Sequence, residues 1–208
     1  MSRKKRGARS RSHTALALGA AFALGSLPSA RLVGRAFGVD IDRVGTGNPG
    51  TANVRRSLGF GPAALVLAMD AAKGFVPVVL GRRSGASPGI LGALGFAPVA
   101  AHVFVVKGKG AATALGTAVA GDPVGLVIVG SGIVGGTLVK LHAPAVLAGY
   151  VTYPVVRLLL GRPRVAVAWS AAQMALVIAA RLRGPGAWSG LVSGRVVWER
   201  LMFDREPS

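Results

Sequence analysis

One polar stretch, residues 44–59, reads V-G-T-G-N-P-G-T-A-N-V-R-R-S-L-G and lies between two long apolar segments. It combines glycine, which leaves the backbone open to close approach, with asparagine amides and the guanidinium groups of Arg55 and Arg56. Backbone N–H groups, amides and guanidinium forks are the donors that bind clustered anionic oxygens. We therefore predict that this stretch, the central loop, binds phosphate at a membrane surface.

The composition of the chain is typical of a membrane protein. Hydrophobic residues make up 51% of its 208 residues, and the mean hydropathy is +0.54. Several apolar runs approach the roughly 20 residues that an α-helix needs to cross the hydrocarbon core of a bilayer. The expected fold is therefore an all-α, polytopic integral membrane protein.

Glycine, proline and charged residues divide the apolar sequence into seven segments. In chain order the segments are 14–32, 61–80, 88–106, 111–120, 124–139, 143–160 and 165–180. The fourth is too short to cross a bilayer without local thinning. We predict about seven transmembrane or partly spanning helices in one domain at residues 14–183, with a disordered basic tail at 1–13 and a cytoplasmic segment at 184–208.

The charge balance narrows the class of partner. The chain carries 25 Lys and Arg against 7 Asp and Glu, but aromatic residues make up only 6% and no basic stretch is interleaved with them. Single-stranded nucleic acid is bound on stacked aromatic side chains, so we expect no nucleic acid partner. Anionic lipid head groups and phosphorylated substrates fit the cations better. The chain has no cysteine, which excludes disulfides, thiolate catalysis and zinc–cysteine sites.

Within the central loop, residues 45–50 also fit the G-x-G-x-x-G pattern of dinucleotide-binding proteins. That pattern requires a preceding strand and a following helix within one βαβ unit. Apolar spans flank this loop instead, so we favour phosphate binding over a dinucleotide site. A glycine-rich connector with interfacial arginines is the remaining structural alternative.

Two charged residues, Asp70 and Lys73, lie inside the second apolar segment. Residues three apart share one helix face and can pair. Charged groups in the hydrocarbon are costly unless they pair or face a cavity. A purely structural ion pair and a direct contact with substrate both fit this pattern.

The central loop and its flanks resemble the first signature of the bacterial acyl-phosphate:glycerol-3-phosphate acyltransferases, a family of small integral-membrane enzymes. The flanks are G-S-L-P at residues 25–28 and D-A-A-K-G at residues 70–74. The positions in the loop that agree with the family pattern are Asn48, Gly50, Asn53 and Arg56, with Thr46 in place of a serine. The resemblance implies that the loop binds the phosphate of a substrate, and that Ser26 and Thr46 orient the substrate with their hydroxyl groups.

Two short stretches resemble the second signature of the family, approximately G-H-x-F-P followed by G-G-K-G-x-A-T. They are A-H-V-F-V at residues 101–105, which includes His102, and K-G-K-G-A-A-T at residues 107–113. The spacer between them is shorter than in the family. Lys109 and Gly110 precede a new helix, where an ammonium group and free N–H groups favour an anion.

The third signature of the family usually reads H-x-x-N-I-x-R-L followed by G-T-E. Residues 194–206 are similar to it and read G-R-V-V-W-E-R-L-M-F-D-R-E. Arg200 matches its arginine, whereas Gly194 and Val197 replace its histidine and asparagine. Both polar positions are thought to belong to the family's active site. A non-catalytic transporter or lipid-binding membrane protein of the same fold is therefore the alternative to an enzyme.

The resemblance implies transfer of a fatty acyl group from acyl phosphate to sn-glycerol 3-phosphate, which gives lysophosphatidic acid for phospholipid biosynthesis. It calls for no metal and no other cofactor. The residues with an implied catalytic role are Arg56, His102 and Lys109. The residues with an implied substrate contact are Ser26, Thr46, Asn48, Gly50, Asn53, Gly108, Gly110, Thr113 and Arg200. Neither the residues nor the resemblance fixes the oligomeric state or the acyl-chain preference.

The first apolar segment follows a basic tail and so also fits a cleaved signal peptide. Cleavage would remove Ser26 and Pro28, which belong to the first signature, so we expect a retained first helix. With seven crossings and the N-terminus outside, the signatures face the cytoplasm from a multi-pass protein in the cell membrane. The basic tail opposes this orientation, because cytoplasmic segments normally carry the excess of Lys and Arg.

Overall fold

The computed structural model of the chain describes residues 3–138 and 142–183. Those residues form helices and connecting loops and contain no β-strand, so the predicted all-α class is confirmed. The helices are α1 (Arg3–Gly25), α2 (Ser29–Ala36), α3 (Thr51–Leu58), α4 (Phe60–Arg83), α5 (Pro88–Ala101), α6 (Ala111–Gly121), α7 (Pro123–Leu138), α8 (His142–Leu159) and α9 (Arg164–Leu182). A π-helical turn, His102–Val106, continues α5.

Apolar helical segments occupy all seven regions that the sequence predicts. Four of them are long enough to cross a bilayer: Ser12–Ala36, Phe60–Arg83, Pro88–Val106 and Arg164–Leu182. The shorter ones are Ala111–Gly121, Pro123–Gly132 and Pro144–Leu159. The polytopic membrane architecture is therefore confirmed. The predicted count of seven applies to the apolar segments and not to complete crossings of the bilayer.

Pro28 divides the first apolar segment into α1 and α2. Proline has no backbone N–H and restricts the residue before it to extended conformations, so the helix stops and restarts here. The sequence analysis predicts one helix over residues 14–32 and misses this break. The structure also differs at the N-terminus, because α1 begins at Arg3 within the segment predicted to be a disordered tail. Arg, Lys and Ala favour helix, and the adjoining apolar turns remove the cost of nucleation.

The central loop ends in a two-turn helix, α3, that the sequence analysis does not predict. Its N-cap residue is Gly50, which is extended with φ −141° and ψ 167°. It ends at Gly59, whose φ of +86° lies in the region that favours glycine. α4 begins at the next residue, so the central loop is attached directly to an apolar helix that is long enough to cross a membrane.

α6 runs parallel to the C-terminal half of α4 and packs directly against it. At Gly74 an added Cβ would lie 2.0 Å from the carbonyl oxygen of Thr113, so the close approach needs glycine. Further along, Nη1 of Arg82 donates to the carbonyl oxygen of Ala120 at 2.6 Å. The first turn of α6 therefore lies halfway along α4.

Two apolar clusters hold the helices together. The first joins α2, α3 and the start of α4 and consists of Ala30, Val33, Ile41, Val54, Ala63 and Val66. The second joins α5 to α9 and consists of Val99, Ala114, Ala118, Val129, Val146, Tyr150, Tyr153 and Val177. Close packing, rather than removal of water, stabilises such contacts between helices in a bilayer. The first cluster fixes the central loop against α4.

Candidate active site

Asn53, in α3, holds the central loop in shape. Its Nδ2 donates to the carbonyl oxygens of Ile41 at 3.1 Å and Val44 at 2.9 Å, and its Oδ1 accepts from the N–H of Thr46 at 2.9 Å. The residue is 1% exposed. An added Cβ at Gly45 would lie 2.2 Å from Oδ1, and the φ of +59° there also favours glycine. These contacts give Asn53 a loop-shaping role, and its contact with phosphate stays a prediction.

The other polar residues of the central loop lie nearer its surface. Thr46 and Asn48 are half-buried, and an added Cβ at Gly50 would lie 2.9 Å from Nδ2 of Asn48. Arg56 is exposed on α3. A ligand at the surface of the loop can therefore reach these groups without unfolding it.

Between α1 and α2, one carbonyl group accepts a hydrogen bond from a side chain of α4. The carbonyl oxygen of Leu27 accepts from the N–H of Ser29 at 3.1 Å and from Nζ of Lys73 at 2.5 Å. Just before it, Oγ of Ser26 donates to the carbonyl oxygen of Phe22 at 3.0 Å. A hydroxyl that donates in this way keeps lone pairs for a second partner. Ser26 can therefore still accept a hydrogen bond from a ligand.

Asp70 and Lys73 form a buried ion pair in the middle of α4. Nζ of Lys73 lies 2.6 Å from Oδ1 of Asp70, and both side chains are 3% exposed, which confirms that the two residues pair. Nδ1 of His102 lies 3.8 Å from the same carboxylate oxygen. Charges in the membrane interior persist where the protein pairs them or hydrogen-bonds them. Through Leu27 and His102, this pair reaches both the first and the second signature.

The π-helical turn brings His102 against the glycines of the second signature. An added Cβ at Gly108 would lie 2.3 Å from Nε2 of His102, and the N–H of Gly108 donates to the carbonyl oxygen of His102 at 3.2 Å. Lys107 has a φ of +68°, and Gly110, the N-cap residue of α6, has a φ of +74°. Single π-turns recur at functional sites. Residues 107–110, which we call the glycine loop, are therefore in contact with His102 although the spacer is shorter.

Two residues outside the signatures support this loop. Arg183 donates from Nη1 to the carbonyl oxygen of Val103 at 3.1 Å and from Nη2 to that of Lys107 at 2.7 Å. Burial lowers the pKa of Arg183, but a guanidinium remains charged at physiological pH. The hydroxyl of Tyr150 donates to the carbonyl oxygen of Ala111, the first residue of α6. No local sequence pattern indicates either residue, because the contacts join segments far apart in the chain.

Arg31, in α2, joins the two signatures. Its Nε lies 2.6 Å from Oδ2 of Asp42, which precedes the central loop, and its Nη1 donates to the carbonyl oxygen of Val106 at 2.9 Å. Val106 is the last residue of the π-helical turn. Arg31, Arg35 and residues 38–42 line a cleft of about 380 Å³. Sequence analysis does not select Arg31, although an arginine near the end of an apolar segment is the signal that was available.

Three buried side-chain atoms near the ion pair have no hydrogen-bond partner within the described part of the chain. They are Oγ of Ser29, Nδ1 of His102 and Oγ1 of Thr113. The three residues are 1%, 3% and 0% exposed, in that order. Each belongs to a segment that contacts the middle of α4. Because buried polar atoms are nearly always hydrogen-bonded, these atoms offer partners to a polar ligand or to solvent.

The structure brings the predicted site residues into two neighbouring groups. One group lies on the segments that contact the middle of α4 and contains Ser26, His102, Gly108, Lys109, Gly110 and Thr113. The other group lies in the central loop and α3 and contains Thr46, Asn48, Gly50, Asn53 and Arg56. Gly81 of α4 lies beside Leu94 of α5, and Asp70 lies beside His102, so the two helices run antiparallel. The loop after α5 therefore lies toward the end of the bundle where α4 begins and the central loop is attached. Arg200 and the rest of the third signature lie outside the described residues.

Residues 15–185 match the sequence model of the family described as glycerol-3-phosphate acyltransferase. The chain belongs to the glycerol-3-phosphate acyltransferase family. A relative of that name from Rubrobacter xylanophilus is 50% identical over 50% of this chain and 56% of its own length. Relatives from Thermus thermophilus and Methylococcus capsulatus are each 38% identical, over 69% and 76% of this chain and 75% and 83% of their own lengths. The match to the first relative thus covers little more than half of that protein.

Two solved structures share the fold of this family member. Both are of PlsY (YgiH), an integral membrane glycerol 3-phosphate acyltransferase. The glycerol 3-phosphate form has a TM-score of 0.74 at 29% identity and covers 80% of this chain and 86% of that chain. The lysophosphatidic acid form has a TM-score of 0.73 at 28% identity and covers 81% and 88%. The family that the signatures indicate and the location in a membrane are therefore confirmed.

Proposed function

We propose that the chain transfers a fatty acyl group from acyl phosphate to the 1-hydroxyl group of sn-glycerol 3-phosphate. The products are lysophosphatidic acid and inorganic phosphate. The observation that supports this proposal is a pair of contacts between the two signatures: Arg31 contacts Asp42 and Val106, and the buried pair Asp70–Lys73 contacts Leu27 and His102. The names of the relatives support the acceptor, and the two forms of the solved neighbour support the acceptor and the product. The acyl-phosphate donor rests on the resemblance of the signatures.

The proposed reaction moves an acyl group from one oxygen atom to another. The oxygen of the 1-hydroxyl group attacks the acyl carbonyl carbon, and the bond between that carbon and the phosphate oxygen breaks. The hydroxyl proton ends on the released phosphate. Because phosphate is a good leaving group, positioning of the substrates and neutralisation of charge can supply most of the acceleration.

Two phosphate groups need cations and N–H donors, and the two groups of site residues supply them. In the central loop, Arg56 pairs with one phosphate, and Asn48 and the backbone at Gly50 contribute further donors. At the N-terminal end of α6, Lys109 and the N–H groups after Gly110 bind the second phosphate or the oxyanion that forms on the acyl carbonyl. Asn53 keeps the first of these groups in shape.

Polar groups between the two phosphate sites orient the glycerol. Ser26, Thr46 and Thr113 offer hydroxyl groups, and His102 offers its imidazole beside Gly108. The acyl chain lies between the membrane helices, in contact with lipid. The site faces the cytoplasm, where phosphorylated substrates are made, and the chain lies in the cell membrane with several crossings.

The test uses purified protein in lipid nanodiscs with Arg56→Ala, Lys109→Ala and a control, Arg83→Ala. Arg83 is exposed at the last turn of α4, at the far end of the bundle from the central loop. We expect the first two variants to lose acyl transfer by about 10-fold or more, as when a preorganised donor to a developing anion is removed. The control should keep wild-type activity. Unchanged transfer in either variant would remove that residue from the site, and a wild-type chain that binds glycerol 3-phosphate but releases no phosphate would be a transporter or lipid-binding protein.

A further inference from the structure

A continuous series of contacts runs from the break between α1 and α2 to the glycine loop before α6. The carbonyl oxygen of Leu27 lies 2.5 Å from Nζ of Lys73, which lies 2.6 Å from Oδ1 of Asp70. That oxygen lies 3.8 Å from Nδ1 of His102. On the other side of the imidazole, Nε2 faces Gly108, where there is no room for a Cβ. We call this series the Leu27–His102 contact chain.

The Leu27–His102 contact chain joins segments that are far apart in the sequence. Leu27 lies in the break between α1 and α2, and His102 opens the π-helical turn that precedes residues 107–113 of the second signature. Lys73 and Asp70 lie between them on α4, and neither has a side chain more than 3% exposed. A substrate at the surface of either loop therefore cannot contact the pair directly, but it can contact the segments that the pair holds.

A buried ion pair adds little net stability to a helix bundle. The desolvation of two charges offsets much of their attraction, and apolar residues of similar size often stabilise a protein as well or better. Lys73 also donates a hydrogen bond to a backbone carbonyl in the break between α1 and α2, and Asp70 faces a histidine in the π-helical turn. Those two contacts indicate that the pair positions neighbouring segments as well as stabilising the bundle.

We propose that Asp70 and Lys73 are positioning residues for the transfer reaction, which hold the helix break at Leu27 and the ring of His102 in fixed register. This inference rests on the function proposed above. Nζ of Lys73 donates to the segment that carries Ser26, and the carboxylate of Asp70 lies 3.8 Å from the imidazole that abuts Gly108. Loss of the pair misaligns the two loops while leaving each loop's own contacts in place.

The experiment separates positioning from stability with a neutral double variant. Asp70→Asn and Lys73→Met alone each leave one buried charge without its partner and should lower the melting temperature. The double variant removes both charges at similar volume, so its melting temperature should return to near the wild-type value. Its kcat should still fall by about 10-fold to 100-fold, because small misplacements of reacting groups cost rates of that order. KM for glycerol 3-phosphate should change less than kcat, since the phosphate-binding groups remain.

Two further variants make the outcome decisive. The matched control is Asp122→Asn with Arg162→Met, a salt bridge of 2.7 Å beyond the C-terminal end of α6, and we expect it to keep wild-type kcat. The exchanged pair, Asp70→Lys with Lys73→Asp, keeps both charges but places no donor beside Leu27, so it should fold and be as impaired as the neutral double variant.

Three results would overturn the inference. A neutral or exchanged variant with wild-type kcat shows that the register does not depend on the pair. Failure of both variants to fold shows that the pair is a folding requirement only. If the wild-type chain itself transfers no acyl group, the proposed function fails and the inference fails with it, whereas an active wild type with an active double variant removes the inference alone.

Discussion

Arg31 donates a hydrogen bond from Nη1 to the carbonyl oxygen of Val106 at 2.9 Å, and its Nε lies 2.6 Å from the carboxylate of Asp42. One guanidinium thus connects the segment before the central loop with the end of the π-helical turn. Lysine has no planar fork and cannot make both contacts with the same geometry. We therefore expect the alignment of the two proposed phosphate-binding groups to depend on an arginine at this position.

We predict that Arg31→Met lowers kcat/KM for acyl transfer by about 10-fold to 100-fold, because the two loops lose their common partner. Arg31→Lys should be intermediate, since an ammonium group keeps one of the two contacts. The measurement is lysophosphatidic acid formation by purified protein. Arg83→Met, at an exposed arginine of α4, is the control and should behave as wild type. Full activity in Arg31→Met would show that the loops are aligned by other contacts.

Asn53 and Asn48 should respond differently to alanine, although both agree with the family pattern. Asn53→Ala removes the partner of the carbonyl groups of Ile41 and Val44 and of the N–H of Thr46, and it should cost about 1–3 kcal/mol of stability. Asn48→Ala should leave the melting temperature unchanged and raise KM for glycerol 3-phosphate. Thermal unfolding and steady-state kinetics on both variants check this. Equal melting temperatures for the two would contradict the loop-shaping role of Asn53.

Gly108→Ala should impair the enzyme through a clash with His102. The added Cβ would lie 2.3 Å from Nε2, so the ring must move or the loop must shift, at about 1–3 kcal/mol for overpacking. We expect a large loss of activity. Gly61→Ala is the matched control, since an added Cβ there meets nothing within 4 Å, and it should be neutral or slightly stabilising. A Gly108→Ala variant with normal activity would show that the second signature does not need the observed register.

The orientation can be read with single cysteines, because the native chain has none. Ser57 is exposed on α3, and Ser84 is exposed just after α4, at opposite ends of that helix. We predict that a membrane-impermeant maleimide added to intact cells labels Ser84→Cys but not Ser57→Cys. Permeabilised cells, in which both should react, provide the control. The reverse pattern in intact cells would place the central loop outside and contradict the cytoplasmic site.

The membrane architecture could be predicted from the sequence because one physical constraint dominates it. A segment that crosses hydrocarbon must be apolar over a fixed length, so hydropathy and the punctuating residues mark its ends. The segment predicted at 88–106 coincides with Pro88–Val106 in the structure, and the one predicted at 165–180 lies inside Arg164–Leu182. Hydropathy does not predict the break at Pro28, because the segment continues beyond it and the proline also fits the first signature.

The candidate site was predicted only in part, because a residue type does not reveal which way its side chain turns. Asn53 has the donors and acceptor that phosphate recognition uses, but tertiary packing commits them to the central loop. Arg31, Tyr150 and Arg183 act on backbone carbonyls in segments distant along the chain, and no local pattern carries that information. The pairing of Asp70 with Lys73 was predictable because it is local to one helix, whereas its contact with Leu27 was not.

The proposed function is acyl transfer from acyl phosphate to glycerol 3-phosphate at one site formed by the two signature loops. Its most direct test is release of inorganic phosphate from palmitoyl phosphate by the purified chain in nanodiscs, with and without glycerol 3-phosphate, while lysophosphatidic acid is measured in parallel. We predict that phosphate release requires glycerol 3-phosphate and that both products appear in equal amounts. No release, or release that does not depend on glycerol 3-phosphate, would contradict the claim.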